Sequence, residues 1–576
     1  MSVAINKKAV VNWGIFFLYF VLFSAVFMPF AVHLTTTGNT DTLIHISLFN
    51  EWADKVMSWF TGQEVFTAMS LGEGGLVGYS EFYLGQTVLF HLGKAILPYG
   101  DAGGHAFLQV CLFSFNAFAM FFFLRTLSFD RHAAFLGGLF FSASSFMWGN
   151  HELLNTLALF PLPLSLALLM RSTGENPSSN RNRILSLVII ATSYVWSGYT
   201  FVFGSLLYAV FYGLTIGLQD KKEVVLDVLL ALVVAIPMMI KVYVLAQSNV
   251  VNALDLTNAS HQDFALQWSS LYTSPPGSIP GLEPNQTGGK VLKMTYYAWS
   301  GLLFWILVIC GLYSAPRRES IGYSIGAGLF FLLSLGPALW SHGGFEVPSP
   351  FIYFYESAFL GKIIRIPGRF YAFSLMFLTV LATFGVKAVL QKPFFMGHKV
   401  RYSILIGIGF LIANLPWINH RVHYTLPAIT EELSSIQIHL LPTDTVLFLP
   451  TSLGQYDTYD NGLSDFNREY QHVYSGQSLG RPMVNGTSSY YPKATKVLYD
   501  HIELAKTSEA LYGACSRQAI DILILNKRLS IQGDAEKIEA LCQDTTLFIP
   551  IYQANGLQAY RLENNIPHEL YERGKQ

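Results

Sequence analysis

Gly38-Asn39-Thr40-Asp41-Thr42-Leu43-Ile44-His45 follows the first long apolar run of the chain, and the rest of the sequence is organised around it. From Asp41 to Phe60 the apolar residues Ile46, Phe49, Ala53, Val56 and Phe60 recur at helical spacing, with Ser47, Glu51, Asp54 and Ser58 on the opposite side. The pattern predicts an amphipathic helix lying on a surface. Asp41 and His45 are four residues apart, so they share a helix face, and that face borders the apolar stripe. A carboxylate and an imidazole are thereby aimed at the body of the protein. Taken alone, the same residues also read as a helix cap followed by a packed histidine, because Thr40 and Asp41 both accept well from first-turn amides. The flanking chain decides between these readings.

The sequence is 52% hydrophobic and 13% charged, with 45 Phe and 30 Tyr in 576 residues. Such a balance is too apolar for a soluble chain of this length and points to a polytopic α-helical membrane protein. A net charge of -1 with no basic stripe or tail excludes a nucleic-acid partner. Four cysteines, none in a CxxC or beside a His pair, give neither a disulfide scaffold nor a structural zinc site. Lys7 and Lys8 precede an apolar run that is longer than a signal-peptide core and lacks a small-x-small cleavage site, which predicts a retained first span.

Further apolar segments of spanning length fall at 105–124, 133–150, 153–170, 225–247, 294–314, 320–340, 367–390 and 403–420, after the first at 11–33. The run from Ile184 to Gly217 is too long for one comfortable span, and cationic residues flank both ends. The positive-inside rule then asks for two short helices meeting near Ser197-Gly198, which brings the count to about eleven. Cationic residues concentrate in short loops, among them Arg125 and Arg131, Arg181 and Arg183, Lys221 and Lys222, Arg317 and Arg318, Lys399 and Arg401. The N-terminus is therefore expected in the cytoplasm, and segments 34–104, 248–293 and 341–366 outside it, with everything beyond 421.

This gives a transmembrane domain over 1–420 with a long first outer loop at 34–104, and an extracytoplasmic domain over 421–576. The tail carries strand-like runs at Thr445–Leu449, Ile520–Leu525, Leu547–Tyr552 and Leu557–Leu562. Helical patterns fall at Lys493–Tyr512 and Ala535–Cys542, so a small α/β domain is expected. Cys515 and Cys542 are the one cysteine pair on the outer side, where a disulfide persists; bridging them is expected to contribute about 3 kcal/mol on the chain-entropy view.

Transporters place ionisable groups near the bilayer midplane, whereas here the span centres carry almost none. Polar residues gather instead at the outer ends: Asp41, His45, Glu73, Glu81, His151, Glu152, Glu356 and Arg365-Ile366-Pro367-Gly368-Arg369-Phe370. Pro367 suits the first turn of a span, which sets Arg369 at the positive end of a helix dipole, where a cation calls for an anionic partner. Free first-turn amides with two guanidinium forks make a phosphate clamp. The plainer reading is that Arg365 and Arg369 snorkel to lipid headgroups, and that Glu73, Glu81 and Glu356 are solvated loop acids. Gly288-Gly289-Lys290 lacks the rest of a P-loop and no GxGxxG follows a strand, so a donor reaching this side is most simply lipid-linked.

The acidic loop after the first span, the Gly-rich, Tyr-containing segment ending at Pro98, Trp148-Gly149-Asn150-His151, Arg365 to Phe370 and Pro482-Met483-Val484-Asn485-Gly486 together resemble bacterial GT-C-fold membrane glycosyltransferases, the YfhO-like branch in particular. The resemblance implies a bacterial inner-membrane enzyme that moves a sugar from a polyprenyl-phosphate donor to an envelope glycan, lipid or protein acceptor. It also implies that the first-loop acid, Asp41 here, is the catalytic base. Several families of this fold carry a pair of acids, whereas Asp41 has no adjacent second one; this weighs against a metal-assisted variant, and a divalent metal is the one cofactor left open. In this scheme His45 orients the base or meets the acceptor, and Arg365 and Arg369 hold the donor phosphate. Asn485, Tyr490 and Tyr491 are candidate acceptor contacts from the tail, and His151, Glu152, Glu73, Glu81 and Glu356 complete the candidates. The rival readings are a lipid or oligosaccharide flippase without covalent chemistry, and a non-catalytic envelope assembly partner.

Overall fold

Apolar helices dominate the computed structural model, which describes residues 7–34, 40–61, 83–150, 154–172, 179–198, 200–215, 221–247, 250–252, 300–342, 345–353, 367–414, 430–451, 465–477, 479–485, 490–530, 533–554 and 556–563. The helices used below are α1 (Lys7–Leu34), α2 (Thr40–Thr61), α3 (Leu84–Ile96), α4 (Gly100–Thr126), α5 (Arg131–Ser142), α6 (Pro161–Ser172), α7 (Ser179–Ala191), α8 (Ser205–Thr215), α9 (Lys221–Gln247), α10 (Leu302–Ser314), α11 (Arg317–Ser334), α12 (Tyr371–Leu390), α13 (Lys399–Asn414), α14 (Asp465–Gln477), α15 (Lys493–Leu504), α16 (Ser508–Ser516) and α17 (Asp534–Leu541).

Among the described residues two helices are long and apolar enough to cross a membrane, Gly100–Thr126 and Pro367–Leu390; shorter apolar helices lie at Val11–Phe27, Thr200–Tyr212, Val225–Pro237 and Leu302–Ser314. Two of the expected spans are interrupted. The one at 133–150 stops at Ser142 and restarts at Ser145–Gly149, where the Ser144 hydroxyl caps the new helix by accepting from the Met147 amide. The one at 153–170 is split between Leu154–Leu157 and α6, whose Pro161 opens a helix at no hydrogen-bond cost. In the long 184–217 run, α7 ends at Ala191, a 3₁₀ turn follows at Ser193–Val195, and a π-helical turn at Thr200–Gly204 leads into α8. The break brackets the expected Ser197-Gly198. Ser186 and Tyr208 share a hydrogen bond of 2.6 Å, so the two arms run side by side.

Two compact units divide the chain. The first comprises Met1–Ala31, Ala106–Ile236 and Asp255–Val422. Its core is aromatic: the Phe113 ring lies 4.8 Å from Phe27 and 5.1 Å from Trp148. Helix α12 is buried along most of its length, with α10 and α11 packed on it. At the α10–α12 crossing the backbones nearly touch: a Cβ on Gly311 would sit 1.8 Å from the Leu381 carbonyl oxygen, and one on Gly385 would sit 2.0 Å from that of Leu307. Reciprocal glycines of this kind let two helices pack at main-chain contact distance.

The second unit comprises Val32–His105, Pro237–Leu254 and His423–Gln576. The tail, expected as a domain over 421–576, is grouped here with residues 32–105 and 237–254. The reason is an apolar and polar seam between α2 and α14, in which the Gln477 carboxamide donates to the Ser47 carbonyl at 2.9 Å and accepts from the Asn50 side chain at 3.1 Å. Strand β1 (Val250–Asn252) contributes as well. In the tail β4 is Val446–Leu449, β5 Tyr490–Pro492, β6 Ile522–Asn526, β7 Phe548–Ala554 and β8 Leu557–Leu562; β2 (Ala338–His342) and β3 (Phe345–Pro348) form a separate hairpin in the first unit. The tail sheet has the order β4-β6-β8-β7, parallel between β4 and β6 and antiparallel elsewhere, and β1 pairs antiparallel with β5. The helical pattern expected across Lys493–Tyr512 is two helices, because Thr507 caps α16 by accepting from the Ala510 amide.

Cys515 and Cys542 are free thiols buried in one apolar core, so the bridge expected from the sequence is not formed. Burial pushes the Cys542 thiol up to about 12 and that of Cys515 higher still, which suppresses the thiolate that disulfide exchange requires. We expect alkylation of native protein to spare both. After denaturation without reductant, both tail peptides should gain the alkyl mass, and recovery of a linked peptide would show that the bridge forms.

Candidate functional site

Asp41 lies in the first turn of α2, where the helix dipole favours an acid, and His45 follows one turn later on the same face. The His45 side chain is 6% exposed, with its ring centroid 5.4 Å from that of Tyr83 in an edge-on contact and 6.3 Å from that of Phe49. Tyr83 and Phe49 also meet each other at 6.2 Å, so the three rings form one cluster that restricts the imidazole plane, as an orienting role requires.

The surface helix expected from the amphipathic pattern needs correction. Every residue from Leu43 to Phe49 is buried, and Ser47 and Glu51, read as the solvated side, are both 0% exposed. Packing of α2 against α14 and α3 explains this, since the polar side meets polar groups of α14 instead of water. At the far end the stripe fails in the opposite sense: Phe60 is 82% exposed. Asp54 is half-buried; burial pushes its carboxyl upward, while His91 and Lys94 on α3 pull it back. His91 also reaches the Phe49 carbonyl at 3.2 Å, tying α3 to the helix that carries Asp41.

Arg369 belongs to the first unit, in the 3₁₀ turn Pro367–Phe370 that opens α12. Its side chain is 7% exposed. A headgroup anchor has to stand out of the protein, so this burial speaks against snorkelling and for an arginine built into the helix entrance. Arg365, Glu73, Glu81, His151, Glu152 and Glu356 lie outside the described residues.

Of the tail candidates, Tyr490 and Tyr491 sit in β5 opposite Asn252 and Val251. Asn485 is 0% exposed and is committed to β4: the Phe448 amide donates to its Oδ1 at 2.5 Å, and its Nδ2 donates to the Phe448 carbonyl at 3.0 Å. It is a strut inside the core, not an open contact for an acceptor. The Tyr499 hydroxyl donates to the buried Glu469 carboxylate at 3.2 Å. His472, stacked on Phe448 at 5.4 Å, is held below its usual imidazole value by burial. The Gln477 contacts and the burial of Glu469 and Glu51 carry no signal in the sequence. A polar residue on an amphipathic helix is read as solvated unless the partner helix is known. Among the described residues no group of three or more His, Cys, Asp or Glu is placed to hold a metal ion.

No protein-family model matches the chain, and no curated protein matches it by sequence. Among solved structures it is similar to that of ArnT from Cupriavidus metallidurans in the apo state, at 13% identity over 96% of this chain and 98% of that one, with a TM-score of 0.47. The same protein bound to undecaprenyl phosphate gives 11% identity over 95% and 98% of the two chains and a TM-score of 0.44. An oligosaccharyltransferase from Archaeoglobus fulgidus in the apo form gives 11% identity, 96% of this chain, 75% of that one and a TM-score of 0.45.

Proposed function

We propose that the chain is a GT-C-type membrane glycosyltransferase that moves a sugar from a polyprenyl-phosphate donor to an envelope acceptor on the outer face of a bacterial inner membrane. The observation that carries this reading is the burial of Arg369 at the amino end of α12. A cation in that position is unfavourable for the helix and favourable for a phosphate, whose oxygens meet both the guanidinium and the first-turn amides.

The chemistry follows from the leaving group. The acceptor hydroxyl oxygen attacks the anomeric carbon, the bond from that carbon to the phosphate oxygen breaks with its electron pair going to the phosphate, and the hydroxyl proton passes to Asp41. A phosphate leaves as a stabilised anion and needs cationic support, supplied by Arg369 and Arg365, more than it needs a proton. One base therefore suffices, whereas hydrolysis of an ordinary glycoside also requires an acid. In this reading the role of His45, packed against Tyr83 and Phe49, is to orient the carboxylate.

Purified protein given polyprenyl-phosphate sugars should release polyprenyl phosphate in step with sugar appearing on an acceptor. Movement of intact donor between leaflets with no release would favour the flippase instead. Within the enzyme reading, Arg369→Lys is expected to raise the donor KM about tenfold, the scale of one charge-assisted hydrogen bond. The ammonium keeps the charge and loses the planar fork. Titrating donor against the purified variant checks this, and an unchanged KM would return Arg369 to a structural role.

A further inference from the structure

Helix α3 has one face committed and one face bare. Gln86, Thr87, Phe90 and Gly93 are buried, with the Phe90 ring 5.1 Å from that of Phe49 on α2. On the opposite side Val88, Leu92 and Ile96, successive at four-residue spacing, are 62%, 47% and 60% exposed. The helix contains no acidic residue.

The position of α3 along the chain says what covers this ridge. Leu97, Pro98 and Tyr99 alone separate it from α4, which is long and apolar enough to span. The two helices also touch: a Cβ on Gly104 would lie 2.8 Å from the Phe90 carbonyl oxygen, and Lys94 and Asp101 pair at 2.6 Å. The first turn of α4 is thereby pinned to the middle and end of α3, which fixes α3 at the level where the span begins. Tyr99, 41% exposed at the junction, has the amphipathic ring that favours a membrane–water boundary.

We propose that α3 is an interfacial helix whose Val88, Leu92 and Ile96 ridge is embedded among the acyl chains of the leaflet that α4 enters first. An apolar stripe opposite a protein-bound face, with no acid to be repelled by anionic lipid, is the pattern of helices that lie in a bilayer surface. The proposal rests on reading α4 as a membrane span, and is independent of the chemistry assigned to Asp41.

The test places single cysteines at Val88, Leu92 and Ile96 in a Cys310→Ala background, Cys310 being the native thiol that is not fully buried. The full chain is spin-labelled and reconstituted in nanodiscs of phosphatidylethanolamine and phosphatidylglycerol. Labels at Ile309, 52% exposed on α10, and at the exposed Glu509 on α16 serve as lipid and water references. Molecular oxygen is expected to relax all three α3 labels severalfold more than a water-soluble nickel chelate, as at Ile309 and opposite to Glu509. Nickel relaxation matching Glu509 would put the ridge in water, and shielding from both agents would mean that a protein or second copy covers it; either result overturns the proposal. A water-like signal at Ile309 too would show that the membrane reading itself is at fault.

Discussion

Replacing Asp41 with asparagine is expected to slow sugar transfer by at least about 100-fold, the usual scale for a lost general base, while leaving the protein folded and inserted. Loss of one first-turn charge costs a helix at most about 1 kcal/mol, so the start of α2 survives the change. Asparagine is also nearly the same size as aspartate, so the packing that buries Leu43 to Phe49 is undisturbed. The loss should fall on kcat with the donor KM little changed, because an interaction made only as the hydroxyl is deprotonated does not help bind the donor. Single-turnover release of polyprenyl phosphate by purified wild-type and variant protein checks this. Equal rates would make Asp41 a helix-start residue and send the search for a base elsewhere.

The second large effect concerns architecture. Gly385→Leu is expected to destabilise the first unit by at least about 3 kcal/mol, at or beyond the upper range for overpacking a core. Ordinary overpacking is relieved by turning side chains. At this crossing the obstacle to a Cβ is the Leu307 carbonyl oxygen at 2.0 Å, which moves only if α10 moves. Gly311→Leu meets Leu381 in the same way and should act alike. The exposed Gly322 of α11, with nothing within 4 Å of an added Cβ, is the control and should tolerate alanine. Yield and melting temperature in detergent give the readout, and a Gly385→Leu protein as stable as wild type would mean that α10 and α12 are not in main-chain contact.

Much of the tail could be read from the sequence because its strands are short apolar runs with little alternative. The runs at Thr445–Leu449 and Leu557–Leu562 coincide with β4 and β8 almost residue for residue. The break in the long Ile184–Gly217 run was legible from charge, since two cationic flanks constrain how often it crosses. The continuous spans expected over 133–150 and 153–170 were not corrected by hydropathy, which counts apolar residues and is blind to a Ser144 cap in their midst. At the candidate site the helical spacing of Asp41 and His45 was plain, because local geometry alone sets it. The burial of Ser47 and Glu51 was hidden, for it depends on α14, hundreds of residues away. Asn485 shows the same limit from the other side: a polar residue in a motif suggests a ligand, and only the pairing of β4 reveals that its amide is used within the core.

The second unit draws on residues 32–105, on the short stretch 237–254 and on everything after 422. Its order of manufacture follows. The segment bearing Asp41 and His45 leaves the ribosome early, yet its Gln477 clamp is made last. At about 5–20 residues per second the interval is on the order of tens of seconds. Throughout that time Ser47 and Asn50 lack the groups they later bind, and the side of α2 that carries Ser47 and Glu51 has no tail to rest on. A nascent chain cut short before residue 465 would therefore carry every residue proposed for catalysis while lacking the Gln477 contacts that hold α2.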